Sequence, residues 1–544
     1  MHASEGNSMT GPTCRALLIY PRFNAGSFWN YRDTCELIGA RYPAPPLGLI
    51  TVAAMLPQDW DIRLIDRNTD DLQDADLDWA DLVLTGGMLP QQGDALALIR
   101  LCREKSIPVV VGGPDATSSP DIYAEADFRV LGEAEGILDR FVEAWRNGER
   151  SGTFTAEKFK ADVTTSPVPR FDLLNFKHYV QIGVQFSRGC PFTCEFCDII
   201  ELYGRKPRTK TNDQMLAELS RLHELGYRGH VDFVDDNLIG NKKAVKAFLP
   251  DLARWQKERN RPFEMSTEAS LNLADDDELL AQMQDAGFFS VFIGIESPDP
   301  DVLVATRKKQ NTRRDIAKSV HRIYDAGIWV LAGFIVGFDE ESDKVADEIS
   351  ALIEEAAIPV SMVGLLYALP NTQLTRRLAR EGRLHADFDV SDASQDQMGD
   401  QCTSGLNFET RRERARILSD YRSIVERIYA PEAYFGRVRK VASMLDLKGA
   451  NGAILGAGLW HDLQQFARLM WSMTFRHPEY RGPFWRTLAF TAFRNFRAIK
   501  PVMMMLALYV HLGPFSRFVV KQIDAQIEDI ERGRWTPPEL IAAE

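Results

Sequence analysis

The sequence predicts an α/β protein in three parts: a doubly wound parallel-sheet domain, a partial (β/α)6 barrel and a helical C-terminal domain. Three observations predict it. From Arg15 to about Asn147, short apolar runs ending in Gly, Pro or Asp alternate with helical patterns. The alternation lapses and restarts at Gln181, and after about Asp387 strand signals give way to helix formers. With 544 residues and 45% hydrophobic content, the chain is long enough to bury several cores.

In residues 1–147 the runs are "RALLIYP", "PLGLITVAAML", "DIRLIDR", "ADLVLTGG", "IPVVVGGP" and "FRVLGEAE", read as parallel strands buried on both faces with helices between them. Such domains take ligands at the carboxyl ends of their strands. Gly86, Gly87, Gly112, Gly113 and Gly132 stand there and allow a ligand to approach the backbone closely. Residues 148–180 are polar, carry their own prolines and read as a linker.

Residues 181–386 hold six further strand candidates: "QIGVQFS", "HVDFVDD", "FEMSTEAS", "SVFIGIES", "WVLAGFIVGF" and "VSMVGLLYAL". Amphipathic patterns such as Asn212 to Leu225 and Asp275 to Ala286 separate them. Six β/α units make a partial barrel, whose active site belongs at the C-terminal strand ends. Residues 387–544 are rich in helix formers, as in "ETRRERARILSDYRSIVERIYAPEAYFGRVRKVASML".

The net charge of −13, from 77 acidic against 64 basic residues, argues against nucleic acid as an electrostatic partner. Only seven cysteines occur, and Cys14, Cys35, Cys102 and Cys402 lie far apart. The N-terminus lacks a basic region followed by an apolar run and a cleavage site. Both features fit a reducing cytoplasm, where clustered thiolates hold metal. The most apolar stretch, "PVMMMLALYVHLGPF" from Pro501, is interrupted by His511 and is shorter than a spanning helix of about 18 residues. The expectation is a chain in solution, or lying on a membrane without crossing it.

The remaining three cysteines stand together in "SRGCPFTCEFCD", Ser187 to Asp198. Cys190, Cys194 and Cys197 follow C-x3-C-x2-C directly after a strand candidate. Three thiolates on one short loop can hold three irons of a 4Fe-4S cluster and leave the fourth iron open to an exogenous ligand; a structural zinc site or surface thiols are the alternatives. A zinc site wants a fourth Cys or His, and no second C-x2-C or Cys/His pair follows downstream. A redox-sensing cluster in a regulator is the non-enzyme alternative, but no DNA-binding feature accompanies it.

This loop, including the aromatic Phe196 before the last cysteine, resembles the signature of radical S-adenosylmethionine (SAM) enzymes. The resemblance implies that SAM chelates the open iron and is cleaved to a 5′-deoxyadenosyl radical. It also implies further cofactor contacts at strand ends. The second strand usually ends in a Gly-Gly-Glu-like segment; here "VDDN" puts Asp235, Asp236 and Asn237 in its place without matching it. Glu268 in "STEAS", and Glu296 and Ser297 in "FIGIES", occupy positions that hold ribose or methionine groups in the family. Gly333 and Gly337 in "GFIVGF" lie on the strand that lines adenine. An acid at a strand end is often only a helix cap. Glu268 and Glu296 sit in apolar strand patterns, where an unpartnered carboxylate is costly.

An α/β domain placed before the barrel resembles the cobalamin-binding class of this family, so residues 1–147 are read as a cobalamin-binding-like Rossmann domain. The D-x-H-x-x-G motif that ligates cobalt through histidine is absent: after the first strand the chain reads "YPRFNAGSFW". The resemblance then implies cobalamin without a protein histidine on cobalt, and a reaction in two halves. One SAM methylates cob(I)alamin; a second yields the radical that takes hydrogen from an unactivated carbon, which receives the methyl group.

Between Ser472 and Lys521 eight Lys or Arg residues face one acid, Glu479, with Phe484, Trp485, Phe490, Phe493 and Phe496 among them. Such a mixture suits a helix in the headgroup plane of a membrane, or a helical pair with solvated cations. The whole layout, with "FVDDNLIGN" at the second barrel strand, is similar to the hopanoid C-2 methyltransferases. That implies a polycyclic lipid as substrate, a low-potential electron donor of the flavodoxin or ferredoxin type, and peripheral contact with the inner face of the membrane. Cyclisation, rearrangement, or methylation of a tetrapyrrole or another natural product are the alternative outcomes.

Overall fold

The computed structural model describes residues 13–24, 26–386, 402–447 and 459–542. Residues 1–12 of the first expected domain and the boundary at 387 lie outside the described residues. The chain falls into two compact units, one of Met1–Arg22 with Pro46–Leu174, the other of Phe23–Pro45 with Asn175–Glu544.

The first unit is a parallel sheet of β1 (Cys14–Tyr20), β2 (Trp60–Asp66), β3 (Leu82–Gly86), β4 (Val109–Gly112), β5 (Phe128–Leu131) and β6 (Gly152–Thr155), in the order β2-β1-β3-β4-β5-β6. Its apolar runs feed two cores. Ala16, Leu18, Leu82, Leu84 and Val110 pack into one layer, while Leu17, Ile19, Val83, Val109 and Val111 pack into the other. Alternate residues thus point to opposite faces, and both faces are covered by helices, which is why the runs are continuous rather than alternating. The strand order reverses between β1 and β3, so the ligand crevice of this fold class opens at Tyr20 and Gly86.

Two expectations change here. "PLGLITVAAML" is not a strand but the helix Leu47–Met55, with Leu49, Ile50 and Ala53 buried. Parallel neighbours β1 and β2 need a crossover between them, and Leu, Ala and Met favour helix, whereas a run apolar on every side reads alike as either element. The stretch read as a linker supplies β6, which pairs with β5 at the sheet edge.

The second unit holds the partial barrel. Its parallel strands are β7 (Gln181–Val184), β10 (Gly229–Phe233), β11 (Phe263–Glu268), β12 (Phe288–Glu296), β13 (Trp329–Val336) and β14 (Val360–Leu365), in the order β14-β13-β12-β11-β10-β7. A short antiparallel ribbon of β8 (Ser187–Arg188) and β9 (Arg208–Thr209) stands beside it. One face of β10 and β11 carries Phe233, which packs 6.2 Å from Phe248, and Phe263, stacked 5.6 Å from Trp255; both partners lie on the helix Lys242–Glu258. The other face is polar: Gln181, Asp232, Ser266 and His230 form a hydrogen-bonded chain across three strands.

The C-terminal helices Arg414–Ile428, Pro431–Met444, Arg481–Arg494 and Ile499–Glu531 belong to this unit. Fully buried Arg437 ties them to the barrel: its Nε donates to Ile358 O at 2.8 Å and its Nη1 pairs with Glu354. The apolar stretch from Pro501, expected to be too short for a membrane span, is part of the 33-residue helix Ile499–Glu531, which continues through His511 and Pro514. By length and composition this helix reaches spanning size, but 67% of its apolar window is buried inside the protein. Met505, Leu506 and Tyr509 are buried, and Tyr434 Oη donates to Met505 O at 2.7 Å. The segment Phe23–Pro45 packs on this helix through Phe28 against Phe515 (6.1 Å) and Thr34 Oγ1 donating to Ala507 O (2.9 Å).

Candidate active site

The cysteine loop follows β7 and β8 at the C-terminal edge of the barrel, and its backbone is pinned on every side. Gly189, at φ +96°, donates its N–H to Asp236 Oδ2 at 2.8 Å; a side chain there would strike the carbonyl of Gly204. Cys190 N–H bonds the same carbonyl at 3.2 Å, and Glu195 N–H bonds Thr306 O at 3.1 Å. The Glu195 carboxylate meets Arg377 at 2.8 Å, and Arg377 also holds Asp339 at 3.0 Å. A loop so constrained presents its thiols in one arrangement.

Asp235, expected beside a cofactor, is turned toward the backbone of the loop. It is 1% exposed, and its oxygens accept the N–H groups of Phe186 at 3.0 Å and Ser187 at 2.5 Å, plus the Ser187 hydroxyl. Burial pushes its carboxyl up to about 7 against those hydrogen bonds. It shapes the turn from strand to loop. Asn237 links the loop to the third strand: its Nδ2 lies 4.0 Å from Cys190 Sγ and 3.1 Å from Ser270 Oγ.

Sequence reasoning missed the other wall of the loop. Lys308, Gln310 and Asn311 follow the short helix Pro300–Ala305, and all three are buried. Lys308 Nζ pairs with Glu296 Oε1 at 2.6 Å and stands 5.9 Å from the centroid of the Phe196 ring. Burial works to lower the Lys308 pKa, but Glu296, with Cys194 and Cys197 nearby, raises it above the ordinary lysine value. Glu296 reaches this partner because its backbone is left-handed, φ +71°, where the β12–β13 register shifts. Gln310 Nε2 lies 3.7 Å from Cys194 Sγ, and its Oε1 is buried without a partner, as is Asn311 Oδ1. The one signal for these residues was position: a polar run just beyond the strand end that carries Glu296.

Glu268, at the end of β11, has an exposed side chain. Yet surrounding protein and, after it, Asp232, Asp236 and Asp235 push its carboxyl up to about 8. A group is both accessible and poorly hydrated where it lines a recess, and the strand's pleat puts Glu268 on the polar face with Glu264 and Ser266. A carboxyl whose folded pKa is raised contributes stability that is lost as pH rises from the ordinary carboxylate range through the folded value. Glu268→Gln is therefore expected to raise the urea midpoint of the cofactor-free chain more at about pH 9 than at about pH 6. Equal gains at both would remove the perturbed carboxyl.

At the end of β13, Gly337 is at φ +116°; its N–H donates to both Glu341 oxygens, and an added Cβ would lie 2.6 Å from Leu406. Four residues earlier, Gly333 leaves room for the Phe292 ring.

These residues fit a cluster better than a single ion. Among the described residues no three His, Cys, Asp or Glu side chains converge as one ion requires. Cys190, Cys194 and Cys197 are nevertheless close enough for each to act on another's charge. Burial raises the Cys190 and Cys197 thiols, so their thiolates need a positive partner such as iron. The unclaimed Gln310 and Asn311 oxygens leave acceptors for a ligand beside the same loop.

In the first unit, considered by itself, Gly86, Gly87, Gly112 and Gly113 form a ledge without side chains. Gly113, at φ +91°, approaches Gly86 Cα and the Gly87 backbone, and a Cβ on Gly86 would strike Gly112 O at 2.6 Å. Gly132, at φ +91°, continues this edge just past β5. Such a backbone surface at strand ends suits a broad, flat macrocycle. None of the chain's nine histidines lies between Thr13 and Leu174.

Three families match the chain: a B12 binding domain over residues 37–142, the radical SAM superfamily over 184–353, and a domain of unknown function, DUF4070, over 372–525. An uncharacterized methyltransferase from Synechocystis sp. is 43% identical, the match covering 95% of this chain and 94% of that protein. The hopanoid C-2 methylase of Rhodopseudomonas palustris is 36% identical over 79% of each chain. Among solved structures, the cobalamin-dependent SAM radical enzyme OxsB, with aqua-cobalamin and SAM bound, superposes with a TM-score of 0.57 at 15% identity, covering 97% of this chain and 82% of its own.

Proposed function

The chain belongs to the radical SAM methyltransferases that carry a B12 binding domain, and on that premise we propose that it methylates an unactivated carbon of a polycyclic, hopanoid-like lipid, with carbon 2 as the expected position. The likeness to a hopanoid C-2 methylase over most of both chains is the observation that supports the acceptor. A 4Fe-4S cluster, SAM and cobalamin are its cofactors. When bound, they supply the deoxyadenosyl radical that removes a hydrogen atom and the methyl group that replaces it.

The chain's own residues hold and orient. Cys190, Cys194 and Cys197 bind three irons, and the amides of Asn237 and Gln310 direct N–H groups at two of the sulfurs. Asp235 and Asp236 fix the loop through its backbone. Phe196 and the Lys308–Glu296 pair close one wall of the site. Glu268, neutral below about pH 8, offers SAM a carboxyl that donates or accepts a hydrogen bond. Gly333 in β13 and Gly337 just beyond it would leave room for the adenine, and the glycine ledge of the first unit would hold cobalamin. The remaining partners are a small-molecule acceptor and a low-potential donor of the flavodoxin or ferredoxin type, meeting the enzyme at the cytoplasmic face of a membrane.

The test is reconstituted protein with cobalamin, reductant, hopanoid and SAM labelled in its methyl group. Labelled hopanoid, 5′-deoxyadenosine and S-adenosylhomocysteine are expected in equal amounts, because one SAM is used in each half of the reaction. 5′-Deoxyadenosine with unlabelled hopanoid, and label in a supplied tetrapyrrole instead, would overturn the acceptor and leave the chemistry.

A further inference from the structure

We propose that the helical region of the second unit carries a docking surface for an anionic phospholipid bilayer, built from six exposed aromatic side chains between Trp471 and Phe496 and the arginines among them. The helix Arg481–Arg494 buries Phe484, Thr487 and Thr491. It is held down by Arg439 Nη1 donating to Thr487 Oγ1 at 2.9 Å and by Asn495 Nδ2 donating to the carbonyls of Ala442 and Leu445. At about 100° per residue, Phe493 stands opposite that buried face. It is 93% exposed, with Trp485 and Phe490 flanking it and Phe496, 67% exposed, just beyond the helix end.

The surface continues past this helix. Trp485 Nε1 donates to Thr474 Oγ1 at 3.1 Å, which holds the turn Ser472–Arg476 alongside. That turn adds Phe475, 68% exposed, and Trp471, whose ring centroid is 6.3 Å from it. Aromatic surface on this scale is unusual on a chain that meets only water.

Charge selects the occupant. Arg481, Arg486 and Arg494 are exposed on the same helix, and Arg476 lies 5.2 Å over the Trp471 ring. Between Ser472 and Ala498 five arginines stand against the single acid Glu479, in a chain of net charge −13. Trp and Phe interleaved with Arg match the headgroup level of an anionic membrane. A symmetric contact between two copies would instead set these arginines against each other. The neighbouring helix Ile499–Glu531 is buried, so the contact is peripheral.

The inference deepens the lipid reading by naming where the chain meets its lipid, but vesicle binding does not require that any given acceptor be methylated. Flotation of the full chain with vesicles of phosphatidylcholine and phosphatidylglycerol is the test. The native chain is expected to float, and to float less on phosphatidylcholine alone. Phe493→Ser with Phe496→Ser should lose binding. Arg486→Gln with Arg494→Gln should lower partitioning about 25-fold, roughly fivefold per arginine. Both variants should retain SAM cleavage, which confirms the fold. A native chain that stays at the bottom of the gradient, or variants that float unchanged, would overturn the surface. So would light scattering that shows a dimer dissolved by the Phe493 and Phe496 changes without vesicle binding. Labelled product with no flotation sinks this surface alone; flotation with no labelled hopanoid sinks the acceptor alone.

Discussion

Alanine at any one of Cys190, Cys194 or Cys197 is expected to reduce 5′-deoxyadenosine formation to the assay background and to cut bound iron in the purified protein. The loss should exceed about a hundredfold, because removing only an outer partner of a metal site already costs about 10–100-fold. The loop offers no replacement: among the described residues no other cysteine contacts it, and Cys14, Cys35, Cys102 and Cys402 are buried elsewhere. Serine at Cys102, a thiol inside the first unit's core, should leave iron and SAM cleavage intact. Full activity in Cys194→Ala would discard the cluster assignment and everything placed around it.

Lys308→Met is expected to destabilise the protein by about 3–5 kcal/mol, the cost of leaving a buried carboxylate without its partner. Lys308 and Glu296 have side-chain exposures of only 11% and 10%. The raised Lys308 pKa sets the sign of the pH dependence: the pair's stabilisation is complete below the ordinary lysine value and fades only as pH climbs through the higher folded one. Pairing Lys308→Met with Glu296→Gln should recover most of the stability, since a buried pair can be exchanged for neutral groups at little cost. It should not recover SAM cleavage if Lys308 also positions Phe196 and the cysteine loop. Urea midpoints beside 5′-deoxyadenosine yields separate the two roles. A double variant that restores both makes the pair a structural strut, and a Lys308→Met midpoint within about 0.5 kcal/mol of native removes the buried-pair argument.

The barrel was legible because its signals are local. Each of the six strand candidates from "QIGVQFS" to "VSMVGLLYAL" overlaps a strand of the barrel sheet, and the Asn212 to Leu225 pattern becomes the helix Asn212–Glu224, opened by a Thr211–Gln214 capping box. The cysteine spacing is local too. What stayed hidden depends on partners distant in sequence. Lys308 sits in "TRKKQN", which reads as a solvated run until β12 ends with Glu296 pointing at it. Nothing local shows that the oxygens of Asp235 accept backbone N–H groups 48 and 49 positions away. "PLGLITVAAML" defeats periodicity because a helix and a strand buried on all sides carry the same apolar run.

The placement of Phe23–Pro45 has a consequence for synthesis of the chain. These residues emerge early but pack against Ile499–Glu531; Thr34 and Ala507, which share a hydrogen bond, are 473 positions apart. At ribosomal rates of about 5–20 residues per second, the segment waits on the order of a minute for its partner. During that interval Phe28 lacks Phe515, and Trp29 lacks Phe292, the ring it meets edge-on at 5.4 Å. Nor does the first unit emerge as one uninterrupted piece, since the chain leaves it after Arg22 and returns at Pro46. The nascent chain therefore carries an unsatisfied aromatic loop through most of its translation.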